Sequence, residues 1–470
     1  MKIYLHNNLS DQKELFKPVH KHFFGKDEVR MYNCGPTVYS RGHVGHARPY
    51  VFADLLHRMF DYAGYSVKQI VNITDVGHLV SDADTGEDKV EKAARETGQK
   101  AKEITEKFAS LFFEDLKSLN IDISKITFPR ATENISEQIQ TISDLEKKNL
   151  TYKTSDGIYY DTAKFDGYGK LGHVDIKGLK EGARVETNQE KRNPTDFALW
   201  KFSKENEKRE QEWDSPWGVG FPGWHIECSA MSKKYLGQPF DIHTGGIDHI
   251  QTHHNNEIAQ SEGAYKKPLA NYWMHSGHIL INGQKMSKSI GNTVYLPDLK
   301  NTGVSILSYR YWLLTSHYST LVNFTEEAIK SADTAFKKLL NKFAGVVPGK
   351  INTDYLNQII EKISDDLNTP EAIAIIWNML KDEKVSKNDA LTTILEVDKI
   401  LGLNIENEVK NAGKTESSFE IPEEINNLLK QRQEARNTKN FALADEIRKK
   451  ISDSGYEIYD YSDGSKVLKK

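Results

Sequence analysis

The first pattern in the chain is an alternation of apolar and polar residues that predicts a strand, followed by a helix and a second strand. Residues alternate in EVRMYNCG (28–35), as in a half-buried strand. The segment ARPYVFADLLHRMFDYAG (47–64) has apolar residues at helical spacing, and Gly64 occupies the position expected of a C′ glycine. SVKQIVNIT (66–74) predicts the second strand. Because this order of elements builds parallel sheets, we predict an α/β fold.

The middle of the chain interrupts this α/β pattern. Residues 84–149 are highly charged and mostly helical in pattern, and residues 151–202 are mixed, with the strand-like GIYYDTAKF. A second α/β portion follows at about 213–282. This order predicts an insertion between two halves of one sheet.

Helical periodicity dominates the chain from about 303 to 403. Within TEEAIKSADTAFKKLLNKF, Thr325 is the expected N-cap. The segment IENEVKNAGKTESS (405–418) is polar and nearly free of large apolar residues, which predicts a linker. A small module with both basic and acidic residues closes the chain from about 420.

Composition indicates a globular protein with several modest cores. The 470 residues are 38% hydrophobic and 28% charged. No run approaches the ~18 apolar residues of a membrane-spanning helix, and the first residues lack the apolar core of a secretory signal. The net charge of −4 argues against the broad basic field of a non-specific nucleic-acid binder, but it allows local basic patches. We therefore expect a cytoplasmic protein.

Two residues in HTGGIDHIQTHHNNEIAQSE (243–262) suit a metal. His253 and Glu257 are four apart in a stretch with a helical pattern, so both face the same side and can bind one ion. Spacing alone does not choose His253 over His249 or His254. The chain has two cysteines, Cys34 and Cys228, for which a disulfide is not expected in a reducing compartment. Taken alone, they are equally well explained as small buried apolar side chains.

Two further segments suit phosphate. GHVGH (42–46) lies between the first strand and the first helix, where unpaired N–H groups face an anion and a glycine allows close approach. In KMSKS, Lys285 and Lys288 could close over a triphosphate and neutralise charge on departing pyrophosphate. Each motif alone is ambiguous, since most lysine-rich pentamers are solvated loops.

In this order, His43-Val44-Gly45-His46 and KMSKS resemble the two signatures of the class I aminoacyl-tRNA synthetases. Within that class the chain is similar to the cysteinyl-tRNA synthetase family, in blocks that follow the family's order along essentially the whole chain. The blocks are CGPTVYS (34–40), NITDV (72–76), DFALWK (196–201), WDSPWG (213–218), GWHIECSAM (223–231), GGIDH (245–249) and HHNNEIAQSE (253–262).

The resemblance implies a Rossmann-type parallel-sheet catalytic domain with a connective insertion, then a helical bundle and a small anticodon-binding module. We expect the catalytic halves at 1–115 and 206–275, the insertion at 116–205, the KMSKS region at 276–302, the bundle, contacting the tRNA stem, at 303–403, the linker at 404–419 and the anticodon module at 420–470.

The family also implies one zinc ion per chain, bound by Cys34, Cys228, His253 and Glu257. In the family the thiolate of the substrate joins this zinc as a further ligand. This would give selectivity, because a pocket that reads shape separates cysteine from serine by only about 10²-fold. A metal deprotonates a bound thiol, whereas a serine hydroxyl is a poor ligand.

The expected reaction has two steps. The cysteine carboxylate attacks the α-phosphate of Mg·ATP, and the terminal ribose of tRNA(Cys) then attacks the resulting cysteinyl-adenylate. The implied catalytic residues are His43, His46, Lys285 and Lys288. ATP is expected to contact these residues together with Gly45, Gly245, Gly246 and Asp248. We expect Asp248 to be a buried acceptor for the ribose hydroxyls.

The implied cysteine pocket consists of Gly35, Thr37, Thr74 and Trp224. The alternative for Trp224 is an ordinary core residue. The implied anticodon contacts are Arg436, Phe441, Asp445 and Asp460, and the alternative for this module is a helical hairpin with solvated charge. We expect a monomer.

Some positions depart from the family pattern. Asn255 stands where Glu is usual, and DVGHLVSDADTGEDK after NIT replaces the commoner D-I-D-D-K, which leaves the role of His78 open. Two other functions stay possible at this point. One is a cysteine ligase acting on an amino-sugar, whose members lack the C-terminal module, and the other is a non-catalytic zinc- or tRNA-binding relative.

Overall fold

The computed structural model describes residues 1–21, 25–77, 88–174, 189–203, 209–287, 290–417, 422–438, 440–461 and 464–469. The strands are β1 (Tyr4–Asn7), β2 (Gln12–Leu15), β3 (Glu28–Asn33), β4 (Ser66–Val71), β5 (Ile126–Thr127), β6 (Thr151–Lys153), β7 (Gly157–Tyr160), β8 (Phe197–Phe202), β9 (Gly220–Pro222), β10 (Phe240–Gly246), β11 (Ala270–Ser276), β12 (Ile279–Ile281), β13 (Gln284–Lys285), β14 (Val322–Phe324), β15 (Tyr456–Tyr461) and β16 (Gly464–Lys469). The helices are α1 (Val44–Tyr62), α2 (Lys89–Thr97), α3 (Ala101–Ser118), α4 (Ile135–Glu146), α5 (Trp224–Leu236), α6 (His253–Tyr265), α7 (Asp298–Asn301), α8 (Ile306–Leu314), α9 (Glu326–Asn341), α10 (Thr353–Ser364), α11 (Thr369–Met379), α12 (Lys387–Leu401), α13 (Ile405–Ser417), α14 (Glu423–Asn437) and α15 (Phe441–Asp453).

A five-stranded parallel sheet forms the centre of the molecule, in the order β11–β10–β3–β4–β5. The predicted strand–helix–strand unit is confirmed as β3, α1 and β4, and β3 pairs with β4 along its whole length. Helix α1 buries Val51, Leu55 and Met59. It ends just before Gly64, whose φ of +92° suits a residue without a side chain.

An antiparallel sheet, β6–β7–β8–β9, separates the two halves of the parallel sheet in sequence. Its bounds differ from the predicted insertion at 116–205. Strand β5 still belongs to the parallel sheet, through the pair Gln69↔Ile126, and β9 joins the antiparallel sheet after the predicted end. A two-residue strand carries too few positions for its period to show in the sequence.

The C-terminal helices pack against α1 through a buried arginine. Arg310 in α8 is fully buried and donates to Asp54 Oδ2 in α1 at 2.6 Å. It also donates to the carbonyl oxygens of Leu401, at 2.9 Å, and Leu119, at 2.9 Å. One guanidinium therefore joins the catalytic domain to α8 and α12.

The predicted N-cap is confirmed, because Thr325 Oγ1 accepts from the Ala328 N–H at 3.1 Å. The prediction of a linker at 404–419 is wrong for most of its length, since helix α13 occupies it. Ile405 and Val409 are buried there. Two apolar residues four apart are enough to anchor a helix, although the composition is polar.

The end of the chain forms a module with its own small core. Helices α14 and α15 pack on the antiparallel hairpin of β15 and β16. The core residues are Ile425, Ile447, Ile451, Ile458 and Val467. Among the described residues, no helix combines the length and apolar character needed to cross a membrane.

Candidate functional site

Four donor side chains converge at the carboxyl ends of the parallel strands. Cys34 follows β3, Cys228 lies in α5, and His253 and Glu257 lie one turn apart in α6. All four are buried, and their ligating atoms lie within 4.8 Å of one another. The backbone N–H of Cys34 donates to the Thr244 carbonyl at 3.1 Å, which ties the loop after β3 to β10.

Neighbouring histidines hold the donors of α6 in place. Glu257 Oε1 lies 3.0 Å from His253 Nε2, and its Oε2 lies 2.9 Å from His243 Nε2. His253 Nδ1 lies 2.9 Å from His225 Nδ1. Such partners of a ligand fix its orientation at metal sites.

A second set of donors shares two members with the first. Cys34, His243, His254 and Glu257 also lie within 4.8 Å of one another. His254 Nε2 approaches Cys34 Sγ at 3.3 Å, while its Nδ1 pairs with His275 Nε2 at 2.8 Å. Geometry alone therefore allows either set, and both combine sulfur, nitrogen and oxygen donors that suit zinc.

The surroundings shift the pKa values of the two cysteine thiols in opposite directions. Burial raises the pKa of Cys34, with the Cys228 thiol beside it as a further cause. The hydrogen bond from Cys34 lowers the pKa of Cys228. Burial lowers the pKa of His253, but Glu257 and Cys228 together outweigh burial and raise it to about 10. Burial lowers the pKa of His254, so its imidazole is neutral and could act as a ligand.

The signature tetrapeptide starts helix α1. His43 is the N-cap, and its backbone N–H donates to His46 Nδ1 at 3.2 Å. The two imidazole rings stack with centroids 3.6 Å apart, and His46 is exposed. The two imidazole rings therefore lie together at the N-terminus of α1, where the Val44 N–H donates to the Val294 carbonyl at 2.9 Å and the partial positive charge of the helix favours an anion.

The KMSKS segment follows the β12–β13 hairpin. Lys285 is exposed and Met286 is buried. Asn292 holds the turn at two points, because its Nδ2 donates to the Lys285 carbonyl at 3.2 Å and its Oδ1 accepts from the Ser287 N–H at 2.8 Å. Lys288 lies outside the described residues, as does His78.

Gly245 and Gly246 form the end of β10, beside the parallel strand β11. A Cβ at Gly245 would lie 2.5 Å from His249 Nδ1, and one at Gly246 would lie 2.4 Å from Asp248 Oδ1. The expectation that Asp248 is buried is wrong, because it lies exposed in a short 3₁₀ turn, Ile247–Ile250. The exposed Asp248 carboxylate is therefore accessible to a ligand.

The residues of the predicted cysteine pocket are connected to the segments that carry the metal donors. Thr37 and Thr74 pair in a parallel bridge. The Trp224 ring lies beside His253, with centroids 4.8 Å apart, and is half-buried rather than a core residue. A Cβ at Gly35 would lie 1.5 Å from the Asn72 carbonyl oxygen, so only glycine fits there.

Sequence reasoning missed three residues of this region, namely Asn72, Glu227 and His243. All three are buried and hydrogen bond to residues of the predicted site. Two lie inside NITDV and GWHIECSAM, but no spacing rule connects positions so far apart in sequence.

Three of the four predicted anticodon residues lie around the junction of α14 and α15. Arg436 and Asp445 are exposed, and Phe441 is 63% exposed at the start of α15. Asp460 lies in β15. An aromatic ring this open can stack on an unpaired base.

Comparison with known proteins gives the family. The family described as tRNA synthetases class I (C) catalytic domain matches residues 20–334, and the family described as Cysteinyl-tRNA ligase anticodon binding domain matches 419–464. The chain belongs to the class I cysteinyl-tRNA ligase family. It is 42% identical to the Cysteine--tRNA ligase of Treponema denticola, over 100% of both chains. It is 45% identical to Cysteine--tRNA ligase 1 of Burkholderia lata, over 94% of this chain and 92% of the relative.

Solved structures agree with this family at the level of the fold. Methionyl-tRNA synthetase of Mycobacterium tuberculosis, in complex with methionyl-adenylate, has a TM-score of 0.54 at 16% identity, over 82% of this chain and 92% of that one. Leucyl-tRNA synthetase (LeuRS) of Agrobacterium radiobacter has a TM-score of 0.56 at 13% identity, over 84% and 86%. The class I fold predicted from the two signatures is confirmed.

Proposed function

We propose that this chain is a cysteine–tRNA ligase that activates L-cysteine with ATP and transfers it to the 3′ end of tRNA(Cys). The observation that carries the proposal is the buried convergence of Cys34, Cys228, His253 and Glu257 beside the signature motifs of this family. We include in the proposal the monomeric state and the cytoplasmic location expected from the sequence.

The donor set fits one zinc ion. Two sulfurs, one imidazole nitrogen and one carboxylate oxygen are the ligand types that zinc takes in tetrahedral sites. Zinc bound there would supply a Lewis acid that holds the substrate sulfur as a thiolate and discriminates against a hydroxyl. Trp224 and Thr74 would close the pocket around the rest of the amino acid, together with Gly35 and with Thr37, which pairs with Thr74.

ATP, entering with Mg²⁺, would lie across the carboxyl ends of the strands. His43 and His46 would donate to phosphoryl oxygens at the start of α1, where the backbone N–H groups of a helix favour negative charge. Lys285 and Lys288 would neutralise the departing pyrophosphate. The close approach permitted by Gly245 and Gly246 would let Asp248 accept from the ribose hydroxyls.

Chemistry in this site needs positioning and charge stabilisation rather than a protein nucleophile. The carboxylate of cysteine attacks the α-phosphate, and pyrophosphate leaves. The ribose hydroxyl of the tRNA then attacks the activated carbonyl, and AMP leaves. Holding both reactants in the right geometry can contribute roughly 7–11 kcal/mol to the barrier reduction.

The C-terminal module would select the tRNA. We propose that Arg436, Phe441, Asp445 and Asp460 contact the anticodon, with Phe441 stacking on a base. This module also argues against the amino-sugar ligase, which has no use for an anticodon-binding domain.

The test is aminoacylation of tRNA(Cys) with cysteine and with serine, before and after treatment with a zinc chelator. We expect charging with cysteine alone, lost on chelation and restored by zinc. Cysteine-dependent exchange of pyrophosphate into ATP identifies the first step separately. A protein that binds tRNA but shows no cysteine-dependent exchange would be the non-catalytic relative instead.

A further inference from the structure

A chain of buried hydrogen bonds crosses from the loop after β3 to helix α5. The Gly35 N–H donates to Asn72 Oδ1 at 2.7 Å. Asn72 Nδ2 donates to Thr74 Oγ1 at 3.0 Å, and Thr74 Oγ1 donates to Glu227 Oε2 at 2.9 Å. Asn72 is 1% exposed, Thr74 2% and Glu227 0%. Buried polar groups of this kind are costly to leave unpaired, so the three side chains are constrained together.

The Gly35 N–H sets which group donates in each hydrogen bond of this series. A backbone N–H can only donate, so the oxygen of the Asn72 amide must face Gly35 and its NH₂ must face Thr74. The Thr74 hydroxyl accepts from that NH₂, and its own hydrogen is directed at Glu227. The order of donors is therefore fixed from Gly35 to Glu227.

Both ends of the chain adjoin a thiol of the metal cluster. Gly35 follows Cys34, and Glu227 precedes Cys228. The two cysteines otherwise belong to separate elements, the end of β3 and the middle of α5. The backbone at Gly35 packs directly on Asn72, where a Cβ would meet the carbonyl oxygen at 1.5 Å. A shift of Asn72 therefore moves the backbone next to Cys34, and a shift of Glu227 moves the backbone next to Cys228.

We infer that Asn72 and Glu227 are positioning residues of the metal centre, which set the separation of the Cys34 and Cys228 thiols through Thr74. This inference rests on the proposed function. Neither residue is a metal donor in its own right. Supporting residues of this type typically change metal affinity or activity by about 10- to 100-fold.

Two isosteric exchanges test the direction of the chain. Asn72→Asp keeps an oxygen for Gly35 but cannot donate to Thr74, so we expect zinc to be released to excess chelator about tenfold faster or more. Glu227→Gln keeps an oxygen for the Thr74 hydroxyl and should retain zinc close to the wild-type rate, whereas Glu227→Ala should not. We also expect Asn72→Asp and Glu227→Ala to raise the KM for cysteine and leave the KM for ATP unchanged.

Asp196→Ala is the matched control. Asp196 is 2% exposed and accepts from the Thr162 hydroxyl at 2.7 Å, as Glu227 does from Thr74, but it lies just before β8 of the antiparallel sheet. Its loss should lower stability without changing zinc release. Circular dichroism establishes that each variant is folded. If Glu227→Ala does not fold, Asn72→Asp carries the test together with Thr74→Val.

The outcomes separate this inference from the proposed function. If the wild type holds one zinc and activates cysteine, but folded Asn72→Asp releases zinc at the wild-type rate with an unchanged KM for cysteine, the positioning role is wrong. If the wild type neither binds zinc nor activates cysteine, the proposed function fails instead. Faster zinc release from Asn72→Asp, together with zinc retention by Glu227→Gln, supports the positioning role and the direction of the hydrogen bonds from Gly35 to Glu227.

Discussion

Gly45 of the first signature faces Met286 of the second. A Cβ at Gly45 would lie 3.6 Å from Met286 Cε and 3.0 Å from the His43 ring. The two phosphate-facing segments, far apart in sequence, are therefore in van der Waals proximity. A side chain at Gly45 would disturb both segments.

Replacing Gly45 by alanine should slow the first step without destabilising the protein. Alanine is a better helix former than glycine by about 1 kcal/mol, but its methyl group would push the His43 ring out of place. A misplacement of about 1 Å can cost about 100-fold in rate. We expect the rate of pyrophosphate exchange to fall by about tenfold to 100-fold and the melting temperature to stay unchanged.

Gly42→Ala is the control for this prediction, since its Cβ would meet three atoms of His46 at ordinary contact distances of 3.5 Å or more. Equal losses in the two variants would show that the effect comes from the helix start in general and not from the contact at Gly45.

The two overlapping donor sets can be separated by single substitutions. His253 belongs only to the set with Cys228, and His254 only to the set with His243. We expect His253→Ala to lose most of its zinc and His254→Ala to keep it, because His253 is the histidine of the proposed ligand set. Metal analysis of both purified variants is the measurement. Zinc lost from His254→Ala but retained by His253→Ala would move the ion to the other set.

Phe441→Ala should weaken tRNA charging alone. Base stacking on an aromatic ring contributes about 1–3 kcal/mol per base, which corresponds to a rise in the KM for tRNA of about five- to 150-fold. Pyrophosphate exchange without tRNA should be unchanged, since the ring lies in a separate module. Leu443→Ala, on the same helix and 41% exposed, should have a much smaller effect.

Loss of the Arg310 side chain should be strongly destabilising. Arg310→Leu would leave Asp54 without one partner and the carbonyl groups of Leu119 and Leu401 without a donor. Removing one member of a buried ion pair costs about 3–5 kcal/mol in the free energy of unfolding. Urea denaturation of the variant measures this. Lys330→Ala, which breaks the exposed pair with Glu326, should leave the unfolding midpoint unchanged.

The sequence predicts secondary structure best where the pattern lies within a single element. Two local patterns are confirmed. One is the strand–helix–strand unit of β3, α1 and β4, with Gly64 just after its helix, and the other is the N-cap at Thr325. The helix in 404–419 was missed because composition was weighed there instead of the spacing of Ile405 and Val409.

Contacts between distant segments could not be predicted from spacing. The four donors of the metal set came from resemblance to a family, and the cluster of Cys34 with Cys228 is visible only once β3 and α5 are packed. The bonds of Asn72 and Glu227 follow from that packing as well. The expected burial of Asp248 is wrong because the chain turns outward after β10, into an exposed 3₁₀ turn.

The donors of the metal set lie on both sides of the insertion. Cys34 comes before the antiparallel sheet, and Cys228, His253 and Glu257 come after it. During synthesis Cys34 is therefore made first, and the metal set is complete only after the second half of the sheet has been made and has packed beside the first. A bound ion would cross-link the segments on the two sides of the insertion. Zinc stoichiometry would then count correctly assembled molecules in a preparation, even where no substrate is turned over.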